Sequence, residues 1–404
     1  MNKVIATSLV VLLAGFSFSQ RKIDSKFGKG LYNVVAEDNS WSMKFGMRVQ
    51  SLYVGENVIN ETDGVLPGTS SFLIRRARLK FGGHILTSKL KYKIELGLSN
   101  KDLGKVDATT NMAPKMILDA VIKWNFAENF VLWAGQTKLP GNRERVVSSA
   151  NMQFVDRSLL NKNFNIDRDM GMQLRHHINV GEKFLIREMV AVSQGEGRNI
   201  VQNNIGGLQY TGRVELLPFG KFASKGDYVG GDIKRESTPK FSIAATYDFN
   251  DRAAKTRSNQ GSYMNDDSGE NADGFFHSNI TTIFADMMFK YKGISVMGEY
   301  ANRNADVINH FSADSTSSAS VMAGSSMNFS LGYLFKNNWE VAARYASYTP
   351  HADYADNAEQ RYTLGLSKYI VGHALKVQAD VTYKMEDNSP NDKLMYRLQI
   401  DFHF

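Results

Sequence analysis

Two short runs hold the most concentrated chemistry in this chain. Arg76, Arg78 and Lys80 occupy alternate positions, and Lys89, Lys91 and Lys93 do the same a few residues later. In an extended strand, side chains two apart point to the same face, so each run sets three cations on one side. Two such strands paired about 4.8 Å apart would merge them into one six-cation patch. A patch of this kind attracts anions, and an arginine can grip an oxyanion with two parallel N–H donors. A further cluster lies in 139–169, where Arg143, Arg145, Arg157, Lys162 and Arg168 stand against Glu144, Asp156, Asp167 and Asp169.

Other chemistries lack their residues. The chain has no Cys, so it has no thiolate nucleophile, thiolate metal ligand or disulfide. It carries neither a Gly-Lys-Ser phosphate cradle nor an HExxH pair. The tandem His176-His177 would point to opposite faces of a strand and could not share one ion. His373 and His403 have no nucleophile or acid beside them in sequence, so no catalytic residue, metal or cofactor is expected.

The elements that must position these cations are strands. Trp41, Met43, Phe45, Met47 and Val49 alternate with Ser42, Lys44, Gly46 and Arg48, and Leu90 to Leu98 and Leu375 to Tyr383 alternate in the same way. Period-2 patterning marks sixteen strands, near 41–54, 72–83, 89–98, 116–126, 130–138, 170–179, 183–193, 207–217, 240–249, 281–291, 294–303, 326–335, 339–348, 361–370, 374–384 and 394–404. Their connections alternate short and long, which is the pattern of a transmembrane antiparallel β-barrel. One connection, 218–239, falls on the short side yet has about twenty residues. The last strand ends Tyr396, Leu398, Ile400, Phe402 and Phe404 on one face, similar to the C-terminal sorting strand of bacterial outer-membrane barrels.

Composition agrees with such a barrel. The 404 residues are 43% hydrophobic, with 48 basic against 41 acidic side chains. The mean hydropathy of −0.32 suits a soluble protein, but a barrel with one lipid face and one water face averages to the same value. Residues 1–19 read as a signal peptide: Lys3 leads, Val4 to Phe16 are largely apolar, and Ser17 and Ser19 are small. That apolar run is shorter than the roughly 20 residues a spanning helix needs. Residues 20–40 are expected to be a periplasmic segment and 41–404 the outer-membrane barrel.

Sixteen strands enclose an aqueous channel. If the apolar parity faces lipid, the inward set is Lys44, Arg48, Arg76, Arg78, Lys80, Lys89, Lys91, Lys93, Lys123, Arg175, Arg187, Arg213, Arg303, Arg344, Lys376 and Arg397. Against these stand Glu95, Asp119, Glu215, Asp286, Glu299, Glu340, Asp380 and Asp401, an excess of eight positive charges inside. The expected pore-lining anion site is Arg48, Arg76, Arg78, Lys80, Lys89, Lys91, Lys93, Arg213 and Arg344. Too few acids lie nearby in sequence to neutralise the six-cation patch. The third long loop is expected to fold inward and narrow the pore with Arg143, Arg145, Arg157 and Arg168. A channel of this width cannot seat a nucleic-acid duplex, so small anions are the expected partners.

Several segments also carry a resemblance. Arg75-Arg76-Ala77-Arg78-Leu79-Lys80-Phe81-Gly82-Gly83, then Gly135-Gln136-Thr137-Lys138-Leu139-Pro140 with Glu144, then Arg168-Asp169-Met170-Gly171, resemble the phosphate-selective porin O and P family. Tyr291-Lys292-Gly293 with Gly298-Glu299-Tyr300, and Ala343-Arg344-Tyr345, are similar to its later strands. The resemblance implies a sixteen-stranded homotrimeric outer-membrane porin that passes anions, with phosphate or polyphosphate among the candidates, and a third loop that narrows the pore. The chain departs from the phosphate-selective members in two places. Loop 139–169 has Phe154 and Phe164 but no Tyr, and 250–280 carries Asp251, Asp266, Asp267, Glu270 and Asp273. General or other-solute diffusion is therefore the first alternative, ahead of an outer-membrane barrel enzyme or a partner-binding barrel.

Overall fold

The computed structural model describes residues 27–404 except 61, 63, 105–109, 111, 314, 316 and 317. The expected signal peptide, 1–19, lies outside the described residues. Sixteen long strands follow one another: β1 (Ser42–Asn60), β2 (Gly64–Ile85), β3 (Thr87–Gly97), β4 (Ile117–Ala127), β5 (Phe130–Lys138), β6 (Arg168–Val180), β7 (Phe184–Ser193) and β8 (Gln209–Leu217). They continue as β9 (Lys240–Ala253), β10 (Ser278–Tyr291), β11 (Ile294–Ala305), β12 (Gly324–Leu334), β13 (Trp339–Pro350), β14 (Glu359–Tyr369), β15 (Leu375–Glu386) and β16 (Asn391–His403). Each pairs antiparallel with the next, and β1 pairs with β16 from Arg48↔His403 to Asn60↔Asn391, so the sheet closes on itself without an edge. A short strand at Tyr32–Val35 joins the start of β1.

All sixteen expected strands are present. The loop expected at 55–71 is instead mostly strand. β1 and β2 stay paired as far as Asn60↔Gly64, because Val58, Ile59, Val65 and Leu66 continue the apolar pairing through a bulge near Glu56. A second bulge, between Gln50 and Ser51 on β1, leaves Arg75 without a register partner beside Arg76.

Side chains sort as the alternation requires. On β12, Met327, Phe329, Leu331 and Tyr333 are exposed, and Ser326, Asn328 and Ser330 between them are buried. Outward Phe72, Val190, Ile243, Ile283, Leu364 and Ile400 extend the same apolar exterior. In water such a surface would be a large exposed patch, whereas in a bilayer it is the lipid-facing band. No described helix is long and apolar enough to cross a membrane.

The barrel is not hollow. Segment 139–167, with helices Arg143–Val146 and Leu159–Phe164, lies against the inner wall. Leu139, Leu159, Leu160, Phe164 and Ile166 form an apolar core with Ala191, Phe284, Ala301, Ala346 and Tyr348 of the strands. The connection 218–239 also enters, as described below.

Gly135 on β5 has φ +121°, and a β-carbon there would collide with the Ala120 carbonyl oxygen on β4. Gly135→Ala is expected to cost on the order of 2 kcal/mol. The check is the temperature at which the folded barrel loses its compact gel mobility in detergent, which should fall relative to wild type.

Candidate functional site

The inward cations divide into two populations. Four on the β1 and β9–β16 side, Arg48, Arg303, Arg344 and Lys376, bind the inserted loop. Arg48 donates to the Ser149 carbonyl at 3.0 Å and pairs with Asp401 at 2.7 Å. Arg344 donates to the Asp156 carbonyl at 2.9 Å, Lys376 to that of Met152 at 2.9 Å, and Arg303 to that of Phe164 at 2.7 Å. Inward acids take the loop's amides: Val155 N–H donates to Asp380 at 3.0 Å and Glu144 N–H to Glu299 at 2.7 Å. A buried backbone segment must have its polar groups satisfied, and on this wall the charged side chains do that.

The opposite wall faces a cavity of about 800 Å³. It is lined by β2–β8, by one face of the inserted loop and by Lys225 and Tyr228 of 218–239. Fifteen basic side chains line it against five acidic ones, Glu95, Asp102, Asp119, Asp167 and Glu215.

Of the residues expected to line the pore, Arg76, Arg78, Lys80, Lys93 and Arg213 do face this cavity, as do Arg145, Arg157 and Arg168 of the expected constriction. Others stand elsewhere. Arg48 is sealed against the loop, and Arg344 is buried over the Phe154 ring. Lys89 and Lys91 are exposed at the short-turn end of β3, beyond the cavity. Arg143 is fully buried in a cluster with Arg213, Glu215 and Asp286, where its Nε lies 2.7 Å from Asp286. It fixes the loop to β9 and β10 and takes no part in the cavity lining.

The expected six-cation patch is therefore four cations, and carboxylates temper it. Arg78 pairs with Glu95 at 3.1 Å and Asp102 at 2.5 Å, and Lys93 pairs with Glu95 at 2.8 Å and Asp119 at 2.7 Å. Asp102 comes from the loop after β3, and Asp119 from β4, so neither was adjacent to the patch in sequence. The bulge lets Arg75 as well as Arg76 reach Asp156 of the inserted loop. Burial would raise the Asp156 carboxyl, but these two guanidinium groups hold it well below the usual carboxylate range.

At the constriction two basic side chains, Lys138 and Arg157, have no carboxylate within ion-pair distance among the described residues, and bind loop carbonyls instead. Lys138 donates to the carbonyls of Arg145 at 2.6 Å and Val147 at 3.2 Å. Arg157 donates to those of Glu144 at 3.1 Å and Val147 at 3.0 Å. Burial pushes the Arg157 guanidinium down to about 10 even with Glu144 and Asp156 nearby, so it remains cationic at neutral pH.

Residues 218–239, the long connection on the short-turn side, enter the barrel from that end and meet the loop. Gly230 N–H donates to the Asn151 carbonyl at 2.6 Å, and Arg143 donates to that of Asp227 at 3.0 Å. Lys290 reaches the Val229 carbonyl at 2.7 Å, and Tyr228 donates to Glu215 at 2.6 Å. The sequence signal for this was length alone. Among the described residues, no group of three or more His, Cys, Asp or Glu side chains is placed to hold a metal ion.

The sequence profile of the family described as phosphate-selective porin O and P matches residues 44–404. No curated protein sequence matches the chain. Among solved structures it is similar to the outer-membrane channel DcaP of Acinetobacter baumannii, with TM-score 0.55 and 13% identity over 93% of this chain and 100% of that one. It is also similar to an anion-selective porin from Comamonas acidovorans, with TM-score 0.54 and 11% identity over 90% and 100%. A third is the trimer form of in-vitro folded OmpT of Vibrio cholerae, with TM-score 0.52 and 12% identity over 90% and 100%. At these identities the likeness concerns the fold.

Arg143→Met should loosen the inserted loop by on the order of 3 kcal/mol, since it removes a buried charge from the Asp286–Glu215 cluster. The expected outcome is a higher single-channel conductance and new protease cleavage within 139–167, with the barrel itself still inserted.

Proposed function

Since this chain belongs to the phosphate-selective porin O and P family, we propose that it is an outer-membrane channel for passive diffusion of small anions, working as a homotrimer. The observation that carries this reading is the cavity wall, with its fifteen basic and five acidic side chains on β2–β8 and the loops between them, including the inserted loop, and on 218–239. A narrow, low-dielectric passage lined by one sign of charge concentrates the opposite ion. Anions would enter over Arg76, Arg78 and Lys80, pass Lys138, Arg145 and Arg157 at the constriction, and leave past Lys123, Arg175 and Lys225. The residues assigned to permeation are these, together with Lys93 and Arg168. Arg48, Arg143, Arg213 and Arg344 are assigned to holding the loop. The trimer rests on the family and on the trimer form of the Vibrio relative.

The second reading is a general anion pore without phosphate preference. It is favoured by the carboxylates that engage Arg78, Lys93, Arg168 and Arg213. These lower the local charge density that a strong phosphate site would need. The absence of Tyr from 139–169 points the same way.

Reversal potentials in planar bilayers under a potassium chloride gradient test the reading: anion preference is expected, and cation preference overturns it. Adding inorganic phosphate then separates the two versions. Strong block of chloride current supports phosphate selectivity, and weak competition supports the general pore. Lys80→Gln together with Arg157→Gln should lower the anion-to-cation permeability ratio severalfold without closing the channel.

A further inference from the structure

A group of side chains on the short-turn half of the cavity is held unlike the rest of the basic wall. Trp133 on β5 faces the lumen between Lys123 on β4 and Arg175 on β6. The Lys123 ammonium is 3.5 Å from the ring centroid and the Arg175 guanidinium 3.8 Å. Among the described residues no carboxylate is within ion-pair distance of either cation. Arg175 donates one N–H to Gln173 at 2.8 Å, and its Nε is buried with no hydrogen-bond partner. Asp119, on the same strand as Lys123, already engages Lys93 at 2.7 Å and Arg168 at 3.3 Å.

The aromatic ring explains how two like charges can sit together. An indole face attracts a cation through its quadrupole and adds no negative charge. A carboxylate in the same place would orient the two cations but also neutralise one of them. Trp133 therefore orients Lys123 and Arg175 without adding a negative charge that would compete with a mobile anion.

The re-entrant segment 218–239 adds a third cation. Ser224 and Lys225 both adopt left-handed backbone, with φ +53° and +58°, although neither is glycine. Consecutive left-handed residues with side chains are disfavoured, and here they accompany a Lys225 that lines the cavity. Asp227, two residues on, does not cancel it, because that carboxylate is paired with Arg187.

We propose that Lys123, Arg175 and Lys225, arranged around Trp133, form a second anion-binding station between the constriction and the short-turn exit, selective for small oxyanions over cations. The proposal rests on the anion-channel reading. An oxyanion leaving Lys138 and Arg157 would be taken up by the Arg175 guanidinium, whose Nε–H has no protein partner, and the Lys123 ammonium. It would then be released past Lys225. Two stations in series let one anion arrive as another departs, so that the first need not bind weakly to conduct.

The experiment is chloride conductance against concentration in single channels, with inorganic phosphate as the competing probe, for wild type, K123Q/R175Q, W133L and K225Q. The double variant should raise the half-saturating chloride concentration severalfold and weaken phosphate block about tenfold, with the channel still anion-selective. W133L keeps both charges and should show a smaller shift in the same direction. K225Q alters one exposed position and guards against a folding defect in the double variant; it should also weaken phosphate block. Wild-type half-saturation and phosphate block in both K123Q/R175Q and K225Q would overturn the station while leaving the channel reading intact. A cation-selective wild type would instead overturn the channel reading itself.

Discussion

A polypeptide loop inside a barrel must find partners for its own amides and carbonyls, and the rest of this structure depends on how that is met. The barrel wall supplies charged side chains as those partners. Arg48, Arg303, Arg344 and Lys376 donate to loop carbonyls, while Asp380 and Glu299 accept from loop amides. Each charge on that wall is thereby desolvated but satisfied, which is the condition for burying it at tolerable cost. The loop is consequently pinned to β1 and β9–β16, and the open passage is forced against β2–β8. Selectivity arises from this asymmetry: the cations left lining the passage lie on the β2–β8 side and on the loop face turned toward it.

The architecture was legible in sequence because period 2 and turn spacing are properties of consecutive residues. Met43, Phe45 and Met47 against Lys44, Gly46 and Arg48 define a strand and its two faces before any contact is known. The division of the inward charges was not legible. Arg78 and Arg344 have the same parity and the same chemistry, yet Arg78 faces the cavity and Arg344 is buried over the Phe154 ring of the inserted loop. What separates them is where residues 139–167 lie across the barrel. That position is set by the apolar packing of Leu159, Leu160 and Phe164 on Phe284, Ala301 and Ala346, strands far removed in sequence. Arg75 escaped notice for a more local reason, since a β-bulge breaks the alternation that would have turned it outward.

The connection 218–239 is the clearest case of a feature visible but unexplained in sequence. Its length stood out among short turns. Its role follows from partners on β7, β8 and β10, on the turn before β15 and on the inserted loop, all of which the barrel brings within reach at one end. Two segments thus enter the lumen from opposite ends and touch at Asn151 and Gly230. The interior is organised as a path along one wall, with protein filling the other side.

The central claim is that anions travel along β2–β8 alone, and thiol accessibility tests it directly because the chain has no native cysteine. Single cysteines at Lys80 and Val131 on the cavity wall, and at Ser326 and Thr363 on the loop-bearing wall, would be exposed to an anionic thiol reagent during current recording. The account predicts rapid loss of current at the first two positions and no reaction at the other two. Equal rates of block on both walls would contradict it.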